Sequence, residues 1–294
     1  MRRIVPHLWY DKEAGEAADF YTKVFKNSTI KSKSVIDNTP SGSVEILTIK
    51  LEGQEFSMIS AGPYFKFTPA LSFMVACDTK EEVERLWNAL FVGGKALMPL
   101  DAYTFSEKYG WLEDKYGLSW QLMYRKDRGI RQKITPTLMF TGGNNGKTEE
   151  AMRYYASIFN DSKVGEISRY GPGWEPNSPE AINHGEFTLD GNDYIAMDSA
   201  YEHGFTFNEA LSLMVYCDTQ EEIDHFWNLL SAVPDAEQCG WLKDKYGVSW
   251  QIVPTVMDEM MGDKDPARSA RVTEAFLKMK KLDIAELTRA VGSP

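Results

Sequence analysis

The run Ile4–Tyr10 is dominated by apolar side chains and predicts a strand. Beyond it, Ala14, Ala17, Ala18, Tyr21, Val24 and Phe25 follow helical spacing, one apolar stripe about a hundred degrees wide. Val44–Leu51 and Glu55–Ser60 flank Glu52-Gly53-Gln54, the signature of a hairpin turn. Leu71–Cys77 reads as a strand feeding a helix, because Thr79 with Glu82 forms a capping box. Val83, Leu86, Trp87 and Leu90 then give that helix its buried stripe. A last strand, Ser119–Tyr124, follows the turn Lys115-Tyr116-Gly117. The order is β-α-β-β-β, followed by a second β-α-β-β-β.

The whole pattern then returns. Gly110–Gln121 (GWLEDKYGLSWQ) recurs as Gly240–Gln251 (GWLKDKYGVSWQ), ten of twelve positions identical at an offset of 130. Phe65–Leu90 matches Phe205–Leu230 at an offset of 140, and Ile4, Pro6 and Leu8 fall on Ile134, Pro136 and Leu138. The second copy has its own hairpin turn (Asp190-Gly191-Asn192), capping box (Thr219 with Glu222) and stripe (Ile223, Phe226, Trp227, Leu230). Changes of offset mark loop insertions, the largest being Phe91–Tyr109, ten residues longer than Ser231–Cys239. The chain is a tandem duplication, with domains at 1–126 and 132–256. A linker near Arg125–Lys133 carries five Lys or Arg.

Residues 257–294 stand outside the repeats as a helical tail. Asp265 can cap a helix with Pro266 at its first position, where a missing N–H costs nothing. Val272, Ala275, Phe276 and Met279 give that helix one apolar face, and Asp283 with Glu286 can start another. Docking of the tail on the repeats is the expectation, and a partner-binding arm is the alternative.

Composition narrows the class. Of 294 residues, 32 are Lys or Arg and 43 Asp or Glu, a net charge of −11 that repels phosphate backbones. No basic patch offsets it, so nucleic acid is not an expected partner. No apolar run reaches the roughly 20 residues of a membrane helix. The start, Met1–His7, lacks the pattern of a secretory signal. Three cysteines without a CxxC make neither a disulfide framework nor a zinc site. The expected setting is reduced and cytoplasmic.

Phe205–Ser212 (FTFNEALS), Gln238–Asp244 (QCGWLKD) and Ser249-Trp250-Gln251 resemble the PhnB-like family, also labelled the 3-demethylubiquinone-9 3-methyltransferase domain. Gly93–Leu100 (GGKALMPL) and Lys278–Ala285 are similar to sequences of the same group. The endings Asp114–Gln121 and Asp244–Gln251 fit the Asp-x-x-Gly-x-x-x-(Glu/Gln) pattern of the wider vicinal-oxygen-chelate superfamily of glyoxalases, extradiol dioxygenases and bleomycin-resistance proteins. The resemblance implies an α+β fold of tandem glyoxalase-like domains, in which paired β-α-β-β-β modules curl into cups. On this reading each repeat completes one cup. The two repeats form a pseudo-dimer within one chain, with a homodimer of the whole chain kept as an alternative.

Metal-using members of that superfamily take His and Glu ligands from the first, fourth, fifth and eighth strands, for Lewis-acid chemistry. By the resemblance, the eighth-strand glutamate falls on Gln121 and Gln251, and a neutral amide is a poor ligand for a hard cation. The first-strand position falls near His7 and Thr137. The fourth strands offer Met58 or Ser60, and Ala196 or Asp198; the fifth offer Leu71 or Ser72, and Leu211 or Ser212. Neither set supplies three ligands, so no metal and no cofactor are expected. The methyltransferase label calls for a glycine-rich strand-to-helix turn that binds the methyl donor. Thr141–Gly146 lies between a strand and a helix but lacks the register of such a turn, and reads as a flexible loop.

The ligand-binding candidates are His7, Trp9, Gln121, Gln251 and His203. An imidazole suits proton transfer or hydrogen bonding at neutral pH, although a strand histidine is also commonly satisfied by a neighbour. A cup-facing glutamine can orient a polar ligand. Trp9 shares a strand face with His7 and can wall the pocket. Trp120 and Trp250 read as core, Cys77 and Cys217 as buried packing residues, and His184 and His225 as structural. His7, Trp9 and Gln121 make the first cup the expected site, over Thr137, Met139 and Gln251 in the second. The insertion Phe91–Tyr109, with Lys95, Asp101 and Tyr103, reads as its lid. The leading function is metal-free binding of a small molecule. The alternatives are an enzyme (a lyase, isomerase or methyltransferase-type transferase on a small polar or quinone-like substrate in the first cup) and a structural scaffold with filled cups.

Overall fold

Every module begins with a strand whose alternate side chains choose sides. In the computed structural model, which describes residues 3–39, 41–125, 132–262 and 265–292, strand β1 (Ile4–Tyr10) sends Ile4, Leu8 and Tyr10 into the apolar core. His7 and Trp9 point the other way, since the side-chain period of a strand is two. Helix α1 (Ala14–Val24) buries Ala14, Ala17, Ala18, Tyr21 and Val24 on that core. Strands β2 (Thr29–Thr39), β3 (Gly42–Leu51) and β4 (Gln54–Ser60) complete the first module. The β3–β4 turn places Glu52 at φ 47° and Gly53 at φ 93°, left-handed conformations that glycine adopts without strain.

The second module has strand β5 (Leu71–Cys77), helix α2 (Lys80–Leu90) and strands β6 (Lys95–Tyr103), β7 (Ser106–Glu113) and β8 (Ser119–Tyr124). The Thr79 hydroxyl accepts from the Glu82 amide at 3.1 Å, while the Glu82 carboxylate accepts from the Asp78 amide, one residue before the cap. Repeat two follows with β9 (Ile134–Phe140), α3 (Thr148–Ile158), β10 (Lys163–Arg169), β11 (Ile182–Leu189) and β12 (Asn192–Asp198). Its second module is one strand shorter: β13 (Leu211–Cys217), α4 (Gln220–Leu230), β14 (Trp241–Lys243) and β15 (Ser249–Pro254). Residues 231–239 are too few for another strand.

The duplicated modules agree with the sequence pattern, but their pairing does not. The strands form two sheets, β14-β15-β13-β1-β4-β3-β2 (sheet one) and β10-β11-β12-β9-β5-β8-β7-β6 (sheet two). Each sheet therefore takes one module from each repeat, and no repeat completes a cup alone. The seams are antiparallel, Ile4↔Val215 to Leu8↔Leu211 in sheet one and Leu71↔Leu138 to Val75↔Ile134 in sheet two. Within a repeat the two modules meet back to back instead. Their helix-facing side chains merge into one core, in which Phe56 of β4 and Phe73 of β5 lie 5.1 Å apart edge to face. Helices α1 and α4 cover sheet one, and α2 and α3 cover sheet two.

The repeated Asp-Lys-Tyr-Gly turn holds this core together. The buried Asp114 carboxylate accepts from Tyr21 Oη (2.7 Å), Trp120 Nε1 (2.9 Å) and the amides of Tyr116 (2.9 Å) and Leu118 (3.1 Å). Asp244 does the same with Tyr155 (2.7 Å), Trp250 (2.8 Å), Tyr246 (2.8 Å) and Val248 (3.0 Å). Each aspartate links a helix of the first module to a strand of the second. Cys77 and Cys217 are buried, and burial pushes both thiols up to about 12, which leaves them as packing residues.

The tail forms α5 (Met257–Met261), α6 (Pro266–Leu277) and α7 (Ile284–Gly292) around a small apolar cluster that includes Val272, Met279, Leu282 and Leu287. Asp265 caps α6 through the Ala267 amide and Asp283 caps α7 through the Glu286 amide. Helix α6 touches β2 at one edge of sheet one. The carbonyls of Met279 and Lys280 then accept from the amides of Cys239 and Gly240 beside β14, at the other edge. The tail thus ties the two edges of sheet one together. Among the described residues no helix is long and apolar enough to cross a membrane.

Candidate functional site

Strand alternation sends one row of side chains from each sheet away from the helices. In sheet two the row runs through Ile195 (β12), Thr137 (β9), Ser72 (β5) and Gln121 (β8), with Thr137 registered on both Ile195 and Ser72. The Gln121 amide nitrogen donates to Ser72 Oγ at 2.9 Å, and its oxygen accepts from Tyr109 Oη at 2.8 Å. Burial pushes the Tyr109 phenol far up, so it remains a donor at neutral pH. Met74 and Ile195, with the half-buried Met123, form an apolar floor beside this pair.

Sheet one repeats the row with Ser57 (β4), His7 (β1), Ser212 (β13) and Gln251 (β15). Gln251 donates to Ser212 Oγ at 2.9 Å, but Cys239 stands where repeat one has Tyr109. The His7 ring meets Trp241 edge to face at 5.4 Å, and Trp241 meets Trp9 at 6.0 Å. Trp9 packs against Phe65 at 5.1 Å and donates to the Gly62 carbonyl at 2.8 Å. His7 Nδ1 is buried without a hydrogen-bond partner, and burial drives the imidazole down to about 3. His7 is therefore neutral at physiological pH. In sheet two Trp111 Nε1 donates to Ser119 Oγ at 2.7 Å; the equivalent Ser249 Oγ is buried with no partner.

These placements divide the expected site. His7, Trp9 and Gln251 share sheet one, whereas Gln121 lies on sheet two with Thr137 and Met139. Exchange of modules between repeats is the reason. His203 sits on the loop leaving β12, where Nε2 and Ser199 Oγ lie 2.6 Å apart and its ring stacks on Phe205 at 5.0 Å. The insertion Phe91–Tyr109 is not a lid: it adds β6 to the edge of sheet two. Lys95 pairs with Glu113 on β7, Asp101 bonds the Ala102 amide, and Tyr103 stacks on Phe105 at 5.5 Å. Gly110 lets this hairpin lie close to α2, since a Cβ there would stand 2.5 Å from the Trp87 ring.

The fourth-strand ligand candidates also change. Met58 and Ala196 face the core, Ser60 Oγ accepts from the Ala14 amide, and Asp198 accepts from Gly146, Thr148 and Ile182. The cup-facing residues are Ser57 and Ile195 instead. One row then offers an imidazole, two hydroxyls and an amide, the other two hydroxyls, an amide and an alkyl chain. These sets do not fit a divalent cation. Among the described residues no group of three or more His, Cys, Asp or Glu side chains gathers as a metal requires. The Thr141–Gly146 segment is tied down by Asn144 on the Tyr246 carbonyl and by Gly146 on Asp198.

Sequence reading missed Arg125, which it assigned to the linker. Arg125 follows β8, and its amide donates to the Cys77 carbonyl at 3.0 Å, so alternation puts its side chain on the face of Gln121 and Met123. It reaches Glu186 of repeat two, Nη2 to Oε1 3.5 Å, and His184 Nε2 lies 3.1 Å from the same oxygen. Extending the alternation one residue past Tyr124 would have found it.

The family model described as 3-demethylubiquinone-9 3-methyltransferase matches twice, at residues 2–123 and 132–253. The PhnB protein of Bacillus cereus is 43% identical over 41% of this chain and 98% of its own, with a TM-score of 0.39. Glyoxalase I of Zea mays shares 11% identity over 85% of this chain and 93% of its own, with a TM-score of 0.54, a likeness of fold. Among curated proteins none matches. With both repeats matched over most of their length, the chain belongs to the 3-demethylubiquinone-9 3-methyltransferase (PhnB-like) family, and its fold is like that of glyoxalase I.

Proposed function

We propose that this protein binds a small organic molecule without a metal ion, on the face of sheet two that points away from the helices. The observation that carries this reading is the pair Gln121–Tyr109 over the floor of Met74, Met123 and Ile195. Ligand sites combine apolar walls with a few fixed polar groups, and a glutamine held at both ends is such a group. The sheet-one face is poorer in this respect. It lacks the phenol, its rings pack on one another, and the tail joins its edges. His7, the imidazole expected at the site, is buried, resists protonation and lies on the other sheet.

Elemental analysis tests the metal-free part of the reading. Protein purified without chelator should carry far less than one equivalent of nickel, zinc, iron or manganese. Binding of an aromatic probe should be unchanged by EDTA or by added divalent ions. Stoichiometric metal, or binding that disappears with EDTA, would contradict it.

A further inference from the structure

Repeat two lacks a counterpart of β6, yet the edge that such a strand would cover is not bare. In sheet two, β6 crosses β7 at Tyr109 and Gly110: Asp101 is registered on Tyr109, and a Cβ on Gly110 would stand 3.2 Å from Leu100 Cα. Cys239 and Gly240 hold the equivalent positions in repeat two. There the tail crosses instead. The Met279 and Lys280 carbonyls accept from the Cys239 and Gly240 amides at 2.8 and 2.7 Å, and a Cβ on Gly240 would stand 3.2 Å from Leu282 Cδ1. Side chains around the edge grip the backbone of the same segment. Gln238 Nε2 donates to the Leu277 carbonyl at 2.8 Å, and Gln220 both donates to the Leu282 carbonyl (3.1 Å) and accepts from the Ile284 amide (2.9 Å). Lys280 reaches Glu237 at 3.3 Å, and Lys281 reaches Asp224 at 2.6 Å. One continuous stretch, Leu277–Ile284, makes all these contacts, and it is held mainly through its main chain, as a peptide added to a sheet edge is held.

The tail is also built to leave as a unit. Val272, Met279, Leu282 and Leu287 are buried in an apolar cluster of the tail's own, separate from the main core. Among the described tail residues, Ile284 is the one that packs on the main core. An element with its own core can be exchanged between identical chains at little cost, because each contact given up in one copy is regained in the other. We propose that Leu277–Ile284 is a detachable edge segment, and that the edge it covers, Gln238–Gly240 with Gln220 and Asp224 of α4, docks the same segment of a second copy of this chain. The contacts themselves fix the occupant. Whatever takes this edge must offer two consecutive carbonyls, a carbonyl and an amide for Gln220, and cations for Glu237 and Asp224; the chain's own tail offers them all. Tethering gives the resident tail an effective concentration on the order of millimolar, so an intact chain keeps its own tail docked. Exchange shows when the tail of one copy and the edge of another are each disabled.

The test uses the full chain carrying Leu282→Asp and Ile284→Asp, which removes two apolar anchors of the tail and leaves the receiving edge intact. A synthetic peptide of parent residues 275–290 should bind this variant one to one in calorimetry, and should bind the parent, whose edge is occupied, roughly tenfold or more weakly. Lys281→Glu, a surface change that serves if the double variant does not fold, should give an affinity between those two. A further full-length variant, Gln220→Ala with Asp224→Lys, weakens the edge and leaves the tail intact. Mixed with the tail variant, it should give a species of twice the monomer mass by light scattering, which neither forms alone. Absence of peptide binding to the tail variants, or equal binding to variant and parent, overturns the proposal. Peptide binding without a mixed dimer, or a dimer from either variant alone, overturns it as well.

Discussion

Burial of His7 sets a measurable acid dependence on the stability of the whole chain. The ring is 4% exposed, its Nδ1 has no partner, and desolvation lowers its affinity for a proton from the ordinary 6.5 to about 3. A group depressed in this way contributes stability that is present above 6.5 and is lost as the pH falls toward 3. The unfolded chain takes a proton on His7 below 6.5, while the folded chain refuses it. Between pH 7.5 and 4.5 the difference amounts to two units, at about 1.4 kcal/mol each, or about 3 kcal/mol. His7→Met fills a similar volume and cannot titrate. Urea unfolding of both proteins at the two pH values gives a double difference in which the other titrating groups cancel. The variant should lose about 3 kcal/mol less than the parent on acidification. In the parent, the His7 ring protons should show no titration by NMR down to pH 4.5. Equal losses in both proteins, or a ring that titrates near 6, would refute the argument from burial.

Two further outcomes follow from the core and the sheets. Asp114→Ala or Asp244→Ala strands two side-chain donors and two amides; at about 1–3 kcal/mol for each unmet donor, less what entering water recovers, either change should cost about 4 kcal/mol in urea unfolding. A loss below about 1 kcal/mol would show that the turn does not organise the core. Fragments 1–125 and 132–294, expressed separately, should expose the seams at β1, β5, β9 and β13, bind a hydrophobic dye and associate on mixing. Two monomeric fragments that bind no dye would contradict the shared sheets.

Much of the fold was legible because it repeats. The strands Ile4–Tyr10, Leu71–Cys77 and Ser119–Tyr124 and both capped helices follow local patterns that tertiary contacts reinforce. The pairing of modules was not legible. β1 and β9 share their apolar pattern, and so do β5 and β13, so either could pair within a repeat or across it. That one ambiguity moved Gln121 away from His7 and Trp9. The lid expectation failed for a related reason: a ten-residue insertion beside a sheet edge can pair with that edge, and β6 does. Arg125 was hidden by its neighbours, since a basic run reads as linker unless the strand alternation is carried into it.

On the proposed function the ligand site lies on sheet two, around Gln121, and the sheet-one row of His7 and Gln251 is not its equal. Calorimetric titration of an aromatic probe into the parent, Gln121→Ala and Gln251→Ala proteins separates the two faces. Loss of a fixed hydrogen-bonding group should weaken binding to Gln121→Ala by about 5- to 150-fold, corresponding to about 1–3 kcal/mol. Gln251→Ala should bind as the parent does. Equal losses in the two variants, or a loss in Gln251→Ala alone, would contradict the assignment.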